Sequence, residues 1–450
     1  MTSISFSVFS RAPALLMPCL QRGAAWALLL LLVCTRMPGE AFRAGVARVD
    51  VTPTESKQLL GYSARKSTGI HDRLHHRVLV LHDGSTEIVI VSSDFCLIAP
   101  SFYDQVAARL EREQGIPRIN FWWTLTHTHS APEVGGPGLP EQFLGHRYRH
   151  PVDTAYADFV ESTLLNAIAE ARKRLAPAKL GVGWGYSRAN INRRARDLGG
   201  RTSLGMNPDG AVDRRIGLIR MEKVDGTLLA LLANYPIHGT VMGQENLLIS
   251  GDAPGTVANY VEERTGATML FINGAAGNLA PIYSVYPSPS AGRLGQFRVL
   301  LGDKIIEANN RIGGMTGRVT LKADELIVET PMKEGLAWPE SLKSYARLRP
   351  DGNTAVKVPV RFLRINDEIA IWAAPLELFC EISNAVRDQS PFPYTFYFGY
   401  TNGWLGYLLT ADELSMGGYE PTVSPFTAAA EEDLREAVSG HLNGGLISSR

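Results

Sequence analysis

Cysteine is scarce: the 450-residue chain has four, and the last two, Cys96 and Cys380, are the only ones beyond residue 34. So few thiols exclude a disulfide-built scaffold and a multi-cysteine metal cluster. Both distal cysteines lie in apolar stretches ("SSDFCLI", "LELFCEI") and read as buried thiols that behave as small hydrophobes, with a disulfide between them as the alternative that export would permit. Net charge is absent too, with 45 Lys+Arg against 45 Asp+Glu. That balance excludes the strongly basic face a nucleic-acid partner demands, leaving only a small basic cluster from Arg188 to Arg201. Long apolar runs are missing as well. The longest, "AAWALLLLLVC" (24–34), is about half of the roughly 20 residues that span a bilayer. It follows Arg11 and Arg22, and no acidic residue precedes Glu40. Residues 1–41 therefore read as a signal peptide, and a secreted or periplasmic location is expected. A lipoprotein anchor at Cys34 is the weaker expectation, because "LLV" is a poor lead-in to a lipidated cysteine.

With 45% hydrophobic residues, the remainder has ample material for a core. Strand patterns alternate with helical ones. "EIVIVSSDF", "INFWWTLTH", "AKLGVGWGY" and "TMLFINGAAGN" read as strands; "YDQVAARLEREQG", closed by Gly115, "AYADFVESTLLNAIAEARKRL" and "PGTVANYVEERTG" read as helices. "RRIGLIRME" and "LLALLANYP" form a hairpin around Asp225-Gly226. A helix at "RLGQFRVLLGDKIIEANN" precedes the strands "RVTLKADELIVE" and "VKVPVRFLRINDEIAIWAA". The expected class is α/β: a mixed β-sheet core flanked by helices, with a metal site at strand carboxyl ends. Residues 42–450 are expected to be one catalytic domain, with the polar stretch 331–356 as an insertion or subdomain edge.

The chemistry concentrates at strand ends. "FWWTLTHTHSAPEVGG" (121–136) runs from an apolar strand into His127 and His129, two residues apart. On a strand, that spacing puts both rings on one face. Imidazole is a common ligand for borderline metals, but two hydrogen-bonded structural histidines would give the same pattern. Far downstream, "NYPIHGTVMG" (234–243) repeats the arrangement with His238. "INGAAGNLAP" (272–281) breaks a strand into small residues, "AAPLELFCE" carries Glu377, and "TNGWLGYLLT" carries Tyr407. In α/β sheets such ends converge on one edge.

In this order the motifs resemble the neutral, non-lysosomal ceramidase family over most of the chain, from "AGVARVDVTP" to "GGYEP" (417–421). "LTHTHSAP" is similar to the family's G-T-H-T-H-S-G-P, "NINRR" (190–194) to N-I-N-R-S-P, and "GIHDRLHHRVLVL" (69–81) to its G-I-x-x-R-L segment. "YPIHGTVM" with "SGDAPG" matches its histidine strand and S-x-D-x-x-G turn. The resemblance implies a zinc ion (Zn2+) held by His127, His238, Glu377 and Tyr407. It implies His129 and Arg193 as catalytic residues, and Asn192, Arg193, Gly274 and Asn278 facing a lipid-like N-acyl amide substrate such as ceramide. Metal-bound water would attack the amide. Peripheral contact with a membrane is compatible with that substrate; nucleic acid is not a partner.

Two departures from the family stand out. Its G-D-V-S-P loop, with a serine once proposed as nucleophile, reads "GNLAP", with Asn278 and Ala280 in place of aspartate and serine. The chain also runs only a short way past the tyrosine motif, so the family's C-terminal immunoglobulin-like domain is expected to be missing. A hydrolase of another amide or ester, or a non-catalytic binding protein, stands as the alternative on the same scaffold.

Overall fold

The computed structural model describes residues 41–136, 138–145, 150–285 and 291–447. The segment read as a signal peptide falls outside them except for its last residue. Among the described residues no helix is long and apolar enough to cross a membrane.

Eight strands form one continuous path: β1 (Arg43–Asp50), β2 (His75–His82), β3 (Glu87–Ser93), β4 (Phe121–Leu125), β5 (Ala176–Tyr186), β6 (Arg215–Lys223), β7 (Leu228–Tyr235) and β8 (Thr268–Asn273). Their order is β8-β7-β6-β5-β1-β2-β3-β4. The outermost pairs, β3 with β4 and β7 with β8, are parallel, and every pair between them is antiparallel. Each parallel pair is joined by a crossover helix: α1 (Pro100–Gln114) between β3 and β4, α3 (Asp252–Thr265) between β7 and β8. The β6–β7 hairpin turns at Gly226, with φ at 88°. Helix α1 stops where Gly115 takes φ 69° and donates to Glu111 O.

β1 and β5 are paired only through Arg43 and Ala44, so the path bends into two four-stranded halves at that corner. One half contributes Leu79, Ile88, Ile90 and Trp122 to an interior cluster, and the other contributes Ile219, Leu232, Leu270 and Ile272. A second sheet adds Leu363, Ile371 and Phe398 to that cluster. Its main path is β9 (Leu321–Pro331), β10 (Thr354–Ile365), β11 (Ile369–Ala373) and β12 (Tyr394–Phe398). The alternate residues face helices, Val78, Val80, Val89 and Val91 towards α1 and α2 (Thr154–Lys173), and Leu231, Ala233 and Phe271 towards α3. Sheets inside and helices outside are the mixed α/β class expected.

Three local readings change. "VKVPVRFLRINDEIAIWAA" is two antiparallel strands, because Asn366 takes φ 54° and turns the chain. The stretch 331–356, read as an insertion or subdomain edge, packs into the main core through Leu342 and Tyr345, and the Tyr345 hydroxyl donates to Asp104. "INFWWTLTH" stops being strand at Leu125, short of both histidines.

The core also sets a pH response. His76 is wholly buried between Val160 O, 3.2 Å from Nε2, and the Ser93 hydroxyl, 2.6 Å from Nδ1. A carbonyl only accepts, so Nε2 carries the proton and Nδ1 accepts from Ser93. Burial pushes this imidazole down to about 4, and the neighbouring His75 down to about 3. The unfolded chain binds protons at these positions below about pH 6.5 while the native state does not, so stability falls as pH drops from there towards 4. The lowering at His76 is worth of order 3 kcal/mol. Urea midpoints measured from pH 7 to 4.5 should fall steadily, and His76→Gln should flatten the trend; an unchanged slope in that variant would exclude His76 as its source.

Candidate metal centre

Four strand ends meet at one edge. β4 leads to His127, β7 to His238, β11 to Glu377, and β12 by a longer loop to Tyr407. Beyond Leu125 the chain bends: Thr126 N–H donates to Ser93 O, His127 N–H to Phe95 O, and His127 takes φ 63°. A left-handed histidine costs about 1–2 kcal/mol. Tyr400 supports it by stacking on its ring, centroids 4.1 Å apart. The loops after β4 and β7 then run side by side, with His129 N–H donating to Gly239 O and Gly239 N–H to His127 O. A Cβ at Gly239 would stand 2.6 Å from Thr128 Cα, which explains glycine after His238. The Asp252 carboxylate, from the "SGDAPG" turn, accepts from the Val241 and Met242 N–H groups and pins the loop behind His238.

His127 Nδ1 lies 3.1 Å from Cys96 O, and His238 Nδ1 lies 3.0 Å from Leu279 O. Carbonyls only accept, so these partners assign the protons to Nδ1 and turn both Nε2 lone pairs inward. Glu377 Oε2 stands 3.2 Å from each Nε2. His127, His238 and Glu377, all buried, form a group able to hold a metal ion. Burial pushes the His238 imidazole down to about 3, so it is neutral. A neutral imidazole lone pair facing a carboxylate oxygen at 3.2 Å in a dry pocket is repulsive unless a cation lies between them. The nitrogen and oxygen donors suit zinc.

The remaining groups surround this trio. Trp404 Nε1 donates to Glu377 Oε1 at 2.9 Å. The Tyr407 hydroxyl is 3.4 Å from His238 Nε2 and accepts from Arg193 Nη2 at 3.0 Å. His129 Nε2 is 3.2 Å from His127 Nε2, and burial, with the two neighbouring imidazoles, holds His129 well below its ordinary value. The two histidine rings converge although neither residue is on the strand: the left-handed turn at His127 does what alternation on a strand was expected to do.

Arg193 lies on the Asn190–Arg196 strand, opposite Leu279–Pro281. Its Nε donates to Glu420 Oε1 at 2.9 Å, and Arg194 Nη1 donates to Glu420 Oε2 at 2.6 Å. Asn192 alternates to the other face, where its amide donates to Ala211 O and accepts from Arg194 N–H. Asn278 is likewise engaged: its Oδ1 accepts from Cys380 N–H at the start of α4 (Cys380–Gln389), and its Nδ2 donates to Glu381. Gly274 lies under Pro236, with its carbonyl against Gly399. The structure therefore brings together His127, His129, His238, Glu377, Tyr407 and Arg193, and turns Asn192, Gly274 and Asn278 into structural ties. Ala280, paired with Ile191, shares the Arg193 face. Cys96 and Cys380 are free, buried thiols. Tyr400, Trp404 and Glu420 escaped sequence reasoning; the only signal was the glutamate inside "GGYEP".

Fold and site together define an α/β protein with a buried His/His/Glu group at converging strand ends. Residues 42–277 match the family model described as neutral/alkaline non-lysosomal ceramidase, N-terminal, and the chain belongs to that family. It is 29% identical over 297 residues to the neutral ceramidase of Pseudomonas aeruginosa, covering 60% of this chain and 42% of that one. It is 31% identical over 242 residues to neutral ceramidase A of Dictyostelium discoideum, covering 50% of this chain and 32% of that one. The chain thus spans less than half the length of these curated relatives. The crystal structure of the Pseudomonas aeruginosa neutral ceramidase shares the fold at a TM-score of 0.71 and 21% identity, over 89% of this chain and 74% of that one. A ceramidase structure described as complexed with C2 superposes at 0.72 and 19% identity, with the same coverage.

Proposed function

We propose that the chain is a zinc-dependent hydrolase of an N-acyl amide, cleaving a ceramide-like substrate to a fatty acid and an amine. The observation that carries this reading is the convergence of two Nδ1-anchored imidazoles on one Glu377 oxygen, 3.2 Å from each, in a chain of the ceramidase family. His127, His238, Glu377 and Tyr407 would hold the ion. When bound, zinc supplies Lewis-acid polarisation of a carbonyl and lowers the pKa of water to about 7. His129, neutral through burial, takes the proton from the attacking water and passes it to the leaving nitrogen. Arg193 keeps its charge beside the pocket, held by Glu420 and Tyr407, and stabilises negative charge developing on the carbonyl oxygen. Metal analysis of the purified protein, followed by a screen of N-acyl amides and simple esters, tests the reading. Protein without bound metal, or with metal but inert towards every amide, would refute it. Activity on esters alone, or on none, would favour the second reading, a differently specific hydrolase or binding protein, which Ala280 and the engaged Asn278 support.

Ala280 carries no nucleophile, so the reaction proceeds without a covalent acyl-enzyme at that position. Ala280→Ser adds a hydroxyl without moving the metal ligands, and its expected effect on kcat is less than about tenfold. Intact mass of the protein during turnover should show no added acyl group, and an acyl adduct on any serine or cysteine would end the direct-water mechanism.

A further inference from the structure

The loop Gly61–Arg65 is packed onto His129. Gly61 takes φ 120°, and a Cβ there would stand 2.5 Å from His129 Cγ. The Tyr62 ring meets the His129 ring edge-on, centroids 4.8 Å apart at 63°. Arg65 lies 4.7 Å over the Tyr62 ring. Its Nη2 donates to His129 O at 2.6 Å and its Nη1 to Asn246 O at 2.7 Å. Tyr62 is thus held on both sides, and the contacts that hold it also hold His129.

Its hydroxyl is the anomaly. It is sealed from solvent and has no hydrogen-bond partner among the described residues. Other buried tyrosines find a backbone carbonyl: Tyr103 donates to Phe121 O, Tyr156 to Val51 O and Tyr235 to Ser187 O. Leaving a buried hydroxyl unpaired costs about 1–3 kcal/mol, and a phenylalanine would fill the same space without that cost. Burial, reinforced by Asp252 and only partly offset by Arg65, raises the phenol above its ordinary value, so it stays protonated and can donate.

We propose that Tyr62 is a substrate-binding residue whose hydroxyl donates a hydrogen bond to an oxygen in the polar head of the N-acyl amide, beside His129. This rests on the hydrolase reading above. Gly61 and Arg65 are positioning residues that fix the ring.

Tyr62→Phe, made in the full chain with its metal, is the test. Three quantities are compared with wild type: steady-state constants on a short-chain N-acyl amino alcohol, the Kd of its uncleavable N-sulfonyl analogue, and bound metal. The urea midpoint serves as the fold control. Metal content should be unchanged and the midpoint equal or higher, because an unpaired hydroxyl is removed. KM and Kd should both rise roughly three- to tenfold, the range a single neutral hydrogen bond supports, with a smaller change in kcat. Unaltered KM and Kd would overturn the assignment while leaving the hydrolase reading intact. A wild-type protein that neither cleaves nor binds either compound would bring down both.

Discussion

His238→Ala should lose its bound metal and at least a thousandfold in turnover while keeping its fold. His238 is held at both ends, Nδ1 by Leu279 O at 3.0 Å and Nε2 beside Glu377 Oε2 at 3.2 Å. Truncation leaves His127, Glu377 and Tyr407, one donor short of the proposed set and without one of its two imidazoles. The charge stabilisation a metal provides is several kcal/mol, and about 4 kcal/mol corresponds to the thousandfold. The structural cost is smaller, because Leu279 O keeps the backbone N–H of residue 238 as its donor. Metal content by mass spectrometry, kcat on an N-acyl amide and circular dichroism separate these effects. Full metal occupancy in the folded variant would sink the ligand assignment. His127→Ala should behave alike, with its left-handed backbone relaxed by the loss of the ring that stacks on Tyr400.

Glu420→Ala should cost about 3–5 kcal/mol of stability and at least tenfold in kcat. One carboxylate pairs with two arginines, Arg193 through Oε1 at 2.9 Å and Arg194 through Oε2 at 2.6 Å, and all three side chains are almost fully buried. Removing the anion leaves two buried cations. Arg194 retains Glu413 and two carbonyls, whereas the Arg193 guanidinium retains only the Tyr407 hydroxyl as a hydrogen-bond acceptor among the described residues. Breaking a buried pair from one side is the costly case, because the remaining charge is uncompensated. The catalytic loss follows because Arg193 would no longer be fixed beside Tyr407. Breaking the more exposed Arg196–Glu413 pair from its arginine side should change stability by no more than about 1 kcal/mol and supplies the control. Urea denaturation with kcat measured in parallel is the check, and a Glu420→Ala protein as stable as wild type would show that the network is not needed.

What could be read along the chain was whatever a few neighbouring residues encode. "FWWTL" is a strand because every residue is apolar or β-favouring and buried. Helix α1 ends at Gly115 because glycine adopts the left-handed cap, and the β6–β7 hairpin turns at Asp225-Gly226 for a similar reason. The residue types of the centre were equally plain: histidines, a glutamate and a tyrosine, each just past an apolar run. Tertiary structure decided the rest. Alternation of faces on the Asn190–Arg196 strand sent Arg193 to the centre and Asn192 away from it, and no composition rule says which face is which until a partner strand is in place. Tyr400 under His127, Trp404 on Glu377 and Glu420 between two arginines come from positions far apart in sequence. The sequence by itself determined the elements and the donor types, because propensity and turn chemistry act over a few residues. Only the folding of two half-sheets and a third sheet around one core decided which donors meet, because meeting requires four strand ends to share an edge.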